Sequence, residues 1–182
     1  MSDTSSLASD VTRALGVYPD FPEPGVLFRD IAPLFENPQL LWRIVAWLTE
    51  QALGAEADKI VGIESRGFLL GVPVALEANL PFVLARKAGK LPGETELVDY
   101  SLEYGSAQIE MQRDGVGAGD RVFIIDDLLA TGGTARATAH LVEKLGGAVS
   151  GFGFLIELDG LPGRHQIESY NSSVLLTLES FT

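Results

Sequence analysis

The chain has 182 residues, enough for one domain with a sizeable core, and its 46% apolar and 21% charged residues exclude a disordered polymer. Thirteen Lys and Arg against twenty-five Asp and Glu give a net charge of −12, which argues against a chain-wide nucleic-acid surface. Zero cysteines exclude disulfides, thiolate catalysis and Cys-based zinc sites.

The opening segment MSDTSSLASD lacks the basic and apolar regions of a leader. The most apolar stretch, residues 67–76, is about half a bilayer span, so a cytoplasmic protein with no membrane partner is expected. Leu40, Leu41, Ile44, Val45, Trp47, Leu48 and Ala52 recur at helical spacing behind Asn37-Pro38, a helix-start signal, and the helix should end near Leu53-Gly54. Residues 59–63 (KIVGI) read as a buried strand and 67–79 as a helix that Pro73 should kink unless it sits near the first turn. PFVLA, 81–85, is a further short strand. Residues 86–98 show no periodicity, and 100–111 read as a hairpin turning at Gly105-Ser106.

The strongest strand, RVFII at 121–125, follows a Gly-rich turn. A helix over about 132–145 comes next, ending at Gly146-Gly147, and strands at 152–156 and 174–178 complete the series. Strand–helix–strand alternation predicts an α/β fold: a mainly parallel twisted sheet with helices on both faces, ligands lying at the carboxyl ends of the strands. With no repeat or linker, residues 1–182 are expected to form a single domain.

The most informative segment is VFIIDDLLATGGT, 122–134. A buried strand runs into two adjacent acids, Asp126 and Asp127, whose mutual repulsion near a core is costly unless they bind something. Ala130, Thr131, Gly132, Gly133 and Thr134 then bring backbone N–H groups together where a helix begins, a natural phosphate site. Four or five charge-assisted hydrogen bonds, each worth ~1.5–3 kcal/mol, would fix one phosphate group firmly.

Three other segments carry polar chemistry. DFPEPGVLFRDI, 20–31, is a Pro-stiffened loop whose Phe28 could stack on a planar heterocycle or plug the core. GIESRGF, 62–68, places Arg66 at a strand end, where it could grip a phosphate or stand as a surface arginine capped by Glu64. LARKAGKLPG, 84–93, packs Arg86, Lys87 and Lys90 into five residues ahead of a stretch long enough to act as a lid; a solvated charge run is the bland alternative.

The motif DDLLATGGT closely resembles the phosphoribosyl pyrophosphate motif of the type I phosphoribosyltransferases. With PGVLFRDI, ESRGF, RKAGKLPG and YSLEYG in the same order from about Tyr18 to Asp159, the chain resembles the adenine-using branch of that family. The resemblance implies transfer of a 5-phosphoribosyl group from phosphoribosyl pyrophosphate to adenine, giving AMP and pyrophosphate, with Mg²⁺ held mainly by substrate and water and no direct protein ligand. It implies that Asp126 and Asp127 meet the ribose hydroxyls and that Ala130 to Thr134 wrap the 5′-phosphate. Arg66, Arg86, Lys87 and Lys90 would meet pyrophosphate, and Leu27, Phe28 and Arg29, within a base-recognition segment of about 18–35, would meet adenine. In a lid spanning about 87–112, Glu103 would exchange a proton with the purine and Tyr104 would help close over it. The family also implies a homodimer. Ala88 stands where some relatives carry another cation.

A net charge of −12 does not forbid a polyanionic substrate, because charges beyond a Debye length of about 8 Å are largely screened. Two rival readings remain: the same chemistry on hypoxanthine, guanine, xanthine or orotate, and a regulator that senses phosphoribosyl pyrophosphate without turning it over. A serine hydrolase and a dinucleotide site fit poorly, since Ile63 stands two residues before Ser65 and Gly115 to Gly119 lead into a strand rather than out of one. His140 and His165 are expected to be structural.

Overall fold

The computed structural model describes residues 4–101 and 106–180. In chain order the elements are α1 (Thr4–Ala14), β1 (Gly16–Pro19), β2 (Leu27–Asp30), α2 (Ala32–Phe35), α3 (Pro38–Gly54), β3 (Lys59–Ile63), α4 (Arg66–Ala78) and β4 (Phe82–Lys87). They continue with β5 (Thr95–Ser101), β6 (Ser106–Gln112), β7 (Arg121–Leu129), α5 (Gly133–Lys144), β8 (Ala148–Asp159), α6 (Gly163–Gln166) and β9 (Ser172–Glu179). Seven strands form one sheet in the order β5-β6-β4-β3-β7-β8-β9, and β1 pairs with β2 as a separate ribbon. The five strands from β4 to β9 are parallel; β6 runs antiparallel to β4 and to β5. The mainly parallel α/β architecture expected from the sequence is present.

Strand β7 shows why the sheet is covered on both sides. Side chains alternate across a strand, so Phe123 and Ile125 enter a core with Leu7 and Val11 of α1, Ile44 and Leu48 of α3, and Leu70 and Val74 of α4. Val122 and Ile124 enter the opposite core with Leu141 and Val142 of α5 and with Phe152 and Phe154 of β8. At ~25 cal/mol per Å² of apolar surface, these two layers supply the main driving force for folding. Among the described residues, no helix is long and apolar enough to cross a membrane.

Several elements differ from the sequence reading, among them the β1–β2 ribbon in a segment read as a loop and the four that follow. Helix α1 was not foreseen: only Leu7 and Val11 are buried on it, too sparse a stripe to announce a helix. Residues 95–98, expected to be irregular, belong to β5, which pairs along its length with β6. Helix α4 passes through Pro73 in its interior rather than near its start. Strand β7 continues past Ile125 to Leu129, so both acids lie within it. Asn37 caps α3 as expected, its side chain accepting from the Leu40 amide at 3.1 Å.

Candidate active site

Sheet register gathers the polar residues at one edge. Ile63 stands opposite Ala85 of β4, and Gly62 opposite Ile125 of β7. One step beyond these pairs, toward the carboxyl ends of three parallel strands, come Glu64, Arg86 and Asp126. This is where open α/β sheets place ligands. A cavity of about 260 Å³ opens here, lined by Glu64, Ser65, Arg66, Lys87, Asp126 and Asp127.

The close approach of α4 to β7 depends on Gly67. A methyl group there would stand 2.5 Å from the Ile125 carbonyl oxygen and 3.1 Å from Asp126 Oδ1. Glycine therefore lets the first turn of α4 press against the strand carrying the acids and delivers Arg66 to them. Arg66 Nε donates to Asp127 Oδ2 at 2.5 Å. Asp127 is only 4% exposed, whereas the Arg66 side chain is 44% exposed, so the arginine approaches a nearly buried carboxylate from the solvent side. Asp126 accepts from the Asp127 amide at 2.9 Å. Burial pushes its carboxyl well above the usual range, and the charge of Asp127 adds to the effect.

The second set of contacts joins β3 to β4. Arg86 grips Glu64 with two nitrogens, at 3.1 and 3.3 Å, and donates a third bond to the Lys90 carbonyl at 3.1 Å. The Lys87 amide also donates to Glu64, at 3.0 Å. The Arg86 guanidinium, joined by that amide, holds the Glu64 carboxyl below its ordinary range against the cost of burial. Glu64 therefore pairs with Arg86, whereas Arg66 finds Asp127, 61 residues away. The capped-arginine alternative read from the sequence does not occur. Lys87 lines the cavity and, among the described residues, forms no ion pair of its own.

Two residues past Asp127 the chain enters the Ala130–Thr134 bend. Gly132 caps α5 with φ +81°, and a Cβ there would meet the Gly163 carbonyl oxygen at 2.7 Å, so conformation and space both require glycine. Gly132 has no side chain to cap the helix, and the first bond into it runs from the Arg136 amide to the Gly132 carbonyl. The amides of Gly133, Thr134 and Ala135 precede that bond and face the helix's positive end.

Leu27, Phe28 and Arg29 form β2, paired with β1 so that Phe28 stands opposite Tyr18 and Arg29 opposite Val17. All three are partly buried, and the Phe28 ring meets that of Phe21 edge-on at 5.1 Å. They do not line the 260 Å³ cavity. Glu103 and Tyr104 lie outside the described residues, as does the Gly105 end of the expected hairpin turn. His140 and His165 stand away from this edge, on a cavity beside α5 and α6, with His165 paired to Glu168 at 2.9 Å.

Two residues shape the site in ways the sequence reading did not give, Glu64 having been read only as a possible cap for Arg66 and Glu110 not at all. One is Glu64, the partner of Arg86. The other is Glu110 on β6, 3% exposed, whose Oε1 accepts the amides of Lys90 at 2.7 Å and Leu91 at 2.8 Å. Its position between Ile109 and Met111, both buried, breaks the alternation that would have placed it in solvent.

The family model for the phosphoribosyl transferase domain matches residues 34–176. An adenine phosphoribosyltransferase of Myxococcus xanthus is 47% identical over 177 residues, spanning 97% of this chain and 96% of that protein. One from a Nocardioides strain is 47% identical over 98% of this chain and 95% of its own length. Among solved structures, the adenine phosphoribosyltransferase of Rhodothermus marinus superposes with a TM-score of 0.90 at 46% identity, covering 96% of this chain and 99% of that one. The Saccharomyces cerevisiae enzyme, solved with an imino-altritol bisphosphate and adenine, gives a TM-score of 0.90 at 42% identity, covering 94% of this chain and 99% of its own. With the twin acids, the capless helix start and the cationic strand ends on one sheet edge, these likenesses place the chain in the phosphoribosyltransferase family, beside the adenine phosphoribosyltransferases.

Proposed function

We propose that the chain transfers the 5-phosphoribosyl group of phosphoribosyl pyrophosphate to adenine, releasing AMP and pyrophosphate, and that residues 1–182 act as one catalytic unit. The observation that carries this reading is the placement of Asp126 and Asp127 on β7, facing Arg66 and Lys87 across one cavity and directly preceding a backbone-lined helix start. Breaking the C1′–O bond builds positive charge on the ribose and negative charge on the departing pyrophosphate. Acids beneath the sugar and cations around the leaving group answer both charges.

The site's own ion pairs suggest how binding proceeds. Without substrate, Arg66 neutralises Asp127. When pyrophosphate arrives, Arg66 turns to it, and Asp127 is released to accept a ribose hydroxyl. Lys87 adds a cation that, among the described residues, has no ion pair to give up. The 5′-phosphate takes the amides of the Ala130–Thr134 bend together with the hydroxyls of Thr131 and Thr134. Adenine lies against Leu27, Phe28 and Arg29, with Leu27 and Arg29 offering main-chain groups. Glu103 exchanges the purine proton, and Tyr104 closes the lid formed by about 87–112. Arg86 and Lys90 complete the pyrophosphate wall, Arg86 chiefly by fixing Glu64 and the Lys90 carbonyl.

Mg²⁺ in this reading enters with the substrate and has no direct protein ligand. Among the described residues no cluster of three or more potential ligands could hold the ion, which agrees with an ion that takes its ligands mainly from substrate oxygens and water. Bound with the substrate, it would neutralise charge on the leaving pyrophosphate.

A homodimer belongs to the same reading. Leu69, Val72 and Leu76 form an exposed apolar stripe on α4, which starts at Arg66, so a second copy seated there would lie next to the site. A cytoplasmic location suits soluble purine and phosphoribosyl pyrophosphate pools.

Incubating the protein with Mg²⁺, adenine and phosphoribosyl pyrophosphate should yield AMP and pyrophosphate in equal amounts. Equal rates with guanine or hypoxanthine would defeat the choice of base, and binding without turnover would favour the sensor. Glu103→Gln should lower kcat more than it raises KM for either substrate; a change confined to KM would remove its proton-transfer role.

A further inference from the structure

Of the cations in the 84–93 segment, Arg86 and Lys87 end β4 and Lys90 sits on the loop that follows, and a loop can present a charge to a ligand only if something fixes its backbone. Arg86 sits opposite Glu110 across the β4–β6 pair. From β4, the Arg86 guanidinium holds the Lys90 carbonyl; from β6, one oxygen of Glu110 holds the Lys90 and Leu91 amides. The Lys90 peptide is therefore clamped at its carbonyl and its amide by two side chains of opposite charge.

Glu110 is a carboxylate almost wholly removed from water, held by loop amides and, among the described residues, without a salt-bridge partner. Burial raises its proton affinity, but the amides of Leu91, Lys90 and Gly89 and the Thr95 hydroxyl together outweigh that and keep the carboxyl below its usual range. A buried charge held by loop amides is expensive if it serves packing alone, since Leu or Met would fill the same space without the desolvation cost.

We infer that Glu110 is a positioning residue for the leaving-group side of the site: it acts through the Lys90 and Leu91 amides to hold the Lys87–Lys90 loop in the geometry that meets pyrophosphate. This rests on the assignment of that loop to pyrophosphate. Glu110 touches no substrate. Its effect is confined to the oxyanion that the loop receives, leaving adenine and the 5′-phosphate unaffected.

Three variants of the full-length protein separate this role from a structural one. Glu110→Asp keeps the charge but draws the acceptor back by one methylene, Glu110→Ala removes it, and Glu110→Gln keeps an oxygen able to accept both amides. Pyrophosphate affinity, read by calorimetry, and KM for phosphoribosyl pyrophosphate should each worsen about tenfold or more in the Asp and Ala variants. KM for adenine should stay within about twofold, and the Gln variant should recover most of the loss. Parallel worsening of both KM values, or a fall in melting temperature with pyrophosphate affinity intact in all three, would overturn the inference. The double variant Lys87→Ala, Lys90→Ala serves as the control. If it binds pyrophosphate normally, the loop assignment itself is wrong; if it binds weakly while Glu110→Asp and Glu110→Ala bind normally, only the positioning role is lost.

Discussion

The bend after β7 and the cationic wall formed by Arg66, Arg86, Lys87 and Lys90 both face phosphate groups in this account, yet they are built in opposite ways. The bend carries no charged side chain. It uses backbone amides at a helix start, fixed by a glycine that nothing larger can replace. The wall is made of charges, two of which are already spent internally, Arg66 on Asp127 and Arg86 on Glu64. In this reading one region is ready before ligand arrives, whereas in the other Arg66 must first leave Asp127 while Arg86 stays on Glu64 and the Lys90 carbonyl. A phosphate that stays on the sugar throughout the reaction suits the fixed site, and a leaving group that must be gripped and then released suits the exchangeable one.

The largest effect should come from cutting the link between the two regions. Asp127→Asn should lower kcat/KM by about a hundredfold or more while the far-ultraviolet circular dichroism stays unchanged. Because the substitution frees Arg66, pyrophosphate alone should bind at least as tightly as to the parent; weaker binding would contradict the exchange of partners. Gly132→Ala should break the fixed region. AMP affinity, measured by calorimetry, should fall about tenfold or more, with pyrophosphate affinity unaltered. Arg66→Gln should do the reverse, weakening pyrophosphate by about tenfold and AMP far less. The loss is held down because the parent must first detach this arginine from Asp127.

The smallest effect concerns pH and stability. The raised Asp126 pKa favours the folded protein below the unfolded value of 3.8, and that contribution disappears as pH rises through the higher folded value. Glu64, whose pKa is lowered, contributes stability above the unfolded value of 4.5 that is lost as pH falls through the folded one. Asp126→Asn should therefore raise the melting temperature of the ligand-free protein at pH 7 by about 2–4 °C and change it less near pH 3. A lower melting temperature at pH 7 would show that the charged form is not a cost in the fold.

Much of this comparison was legible in the sequence because it is local. The strand, the acids and the bend follow one another within 122–134, and the periodic apolar residues of α3 and β7 announce their elements directly. Partners brought together by register were not legible. Glu64 and Arg66 are two residues apart, which invited pairing them, but β3–β4 register gives Glu64 to Arg86 and the glycine contact gives Arg66 to Asp127. Glu110 was hidden for a related reason: alternation along β6 points it to solvent, and its burial comes from the loop that its own carboxylate holds. Helix α1 escaped because its two buried anchors, Leu7 and Val11, carry too weak a pattern.

In the proposed reaction the bend holds the 5′-phosphate while the twin acids hold the ribose. A crystal structure of the protein with AMP, pyrophosphate and Mg²⁺ tests it most directly. The AMP phosphate should lie within hydrogen-bonding distance of the 131–134 amides, with ribose hydroxyls on Asp126 and Asp127 and Arg66 turned from Asp127 to pyrophosphate. An AMP phosphate bound elsewhere, with Arg66 still on Asp127, would contradict it.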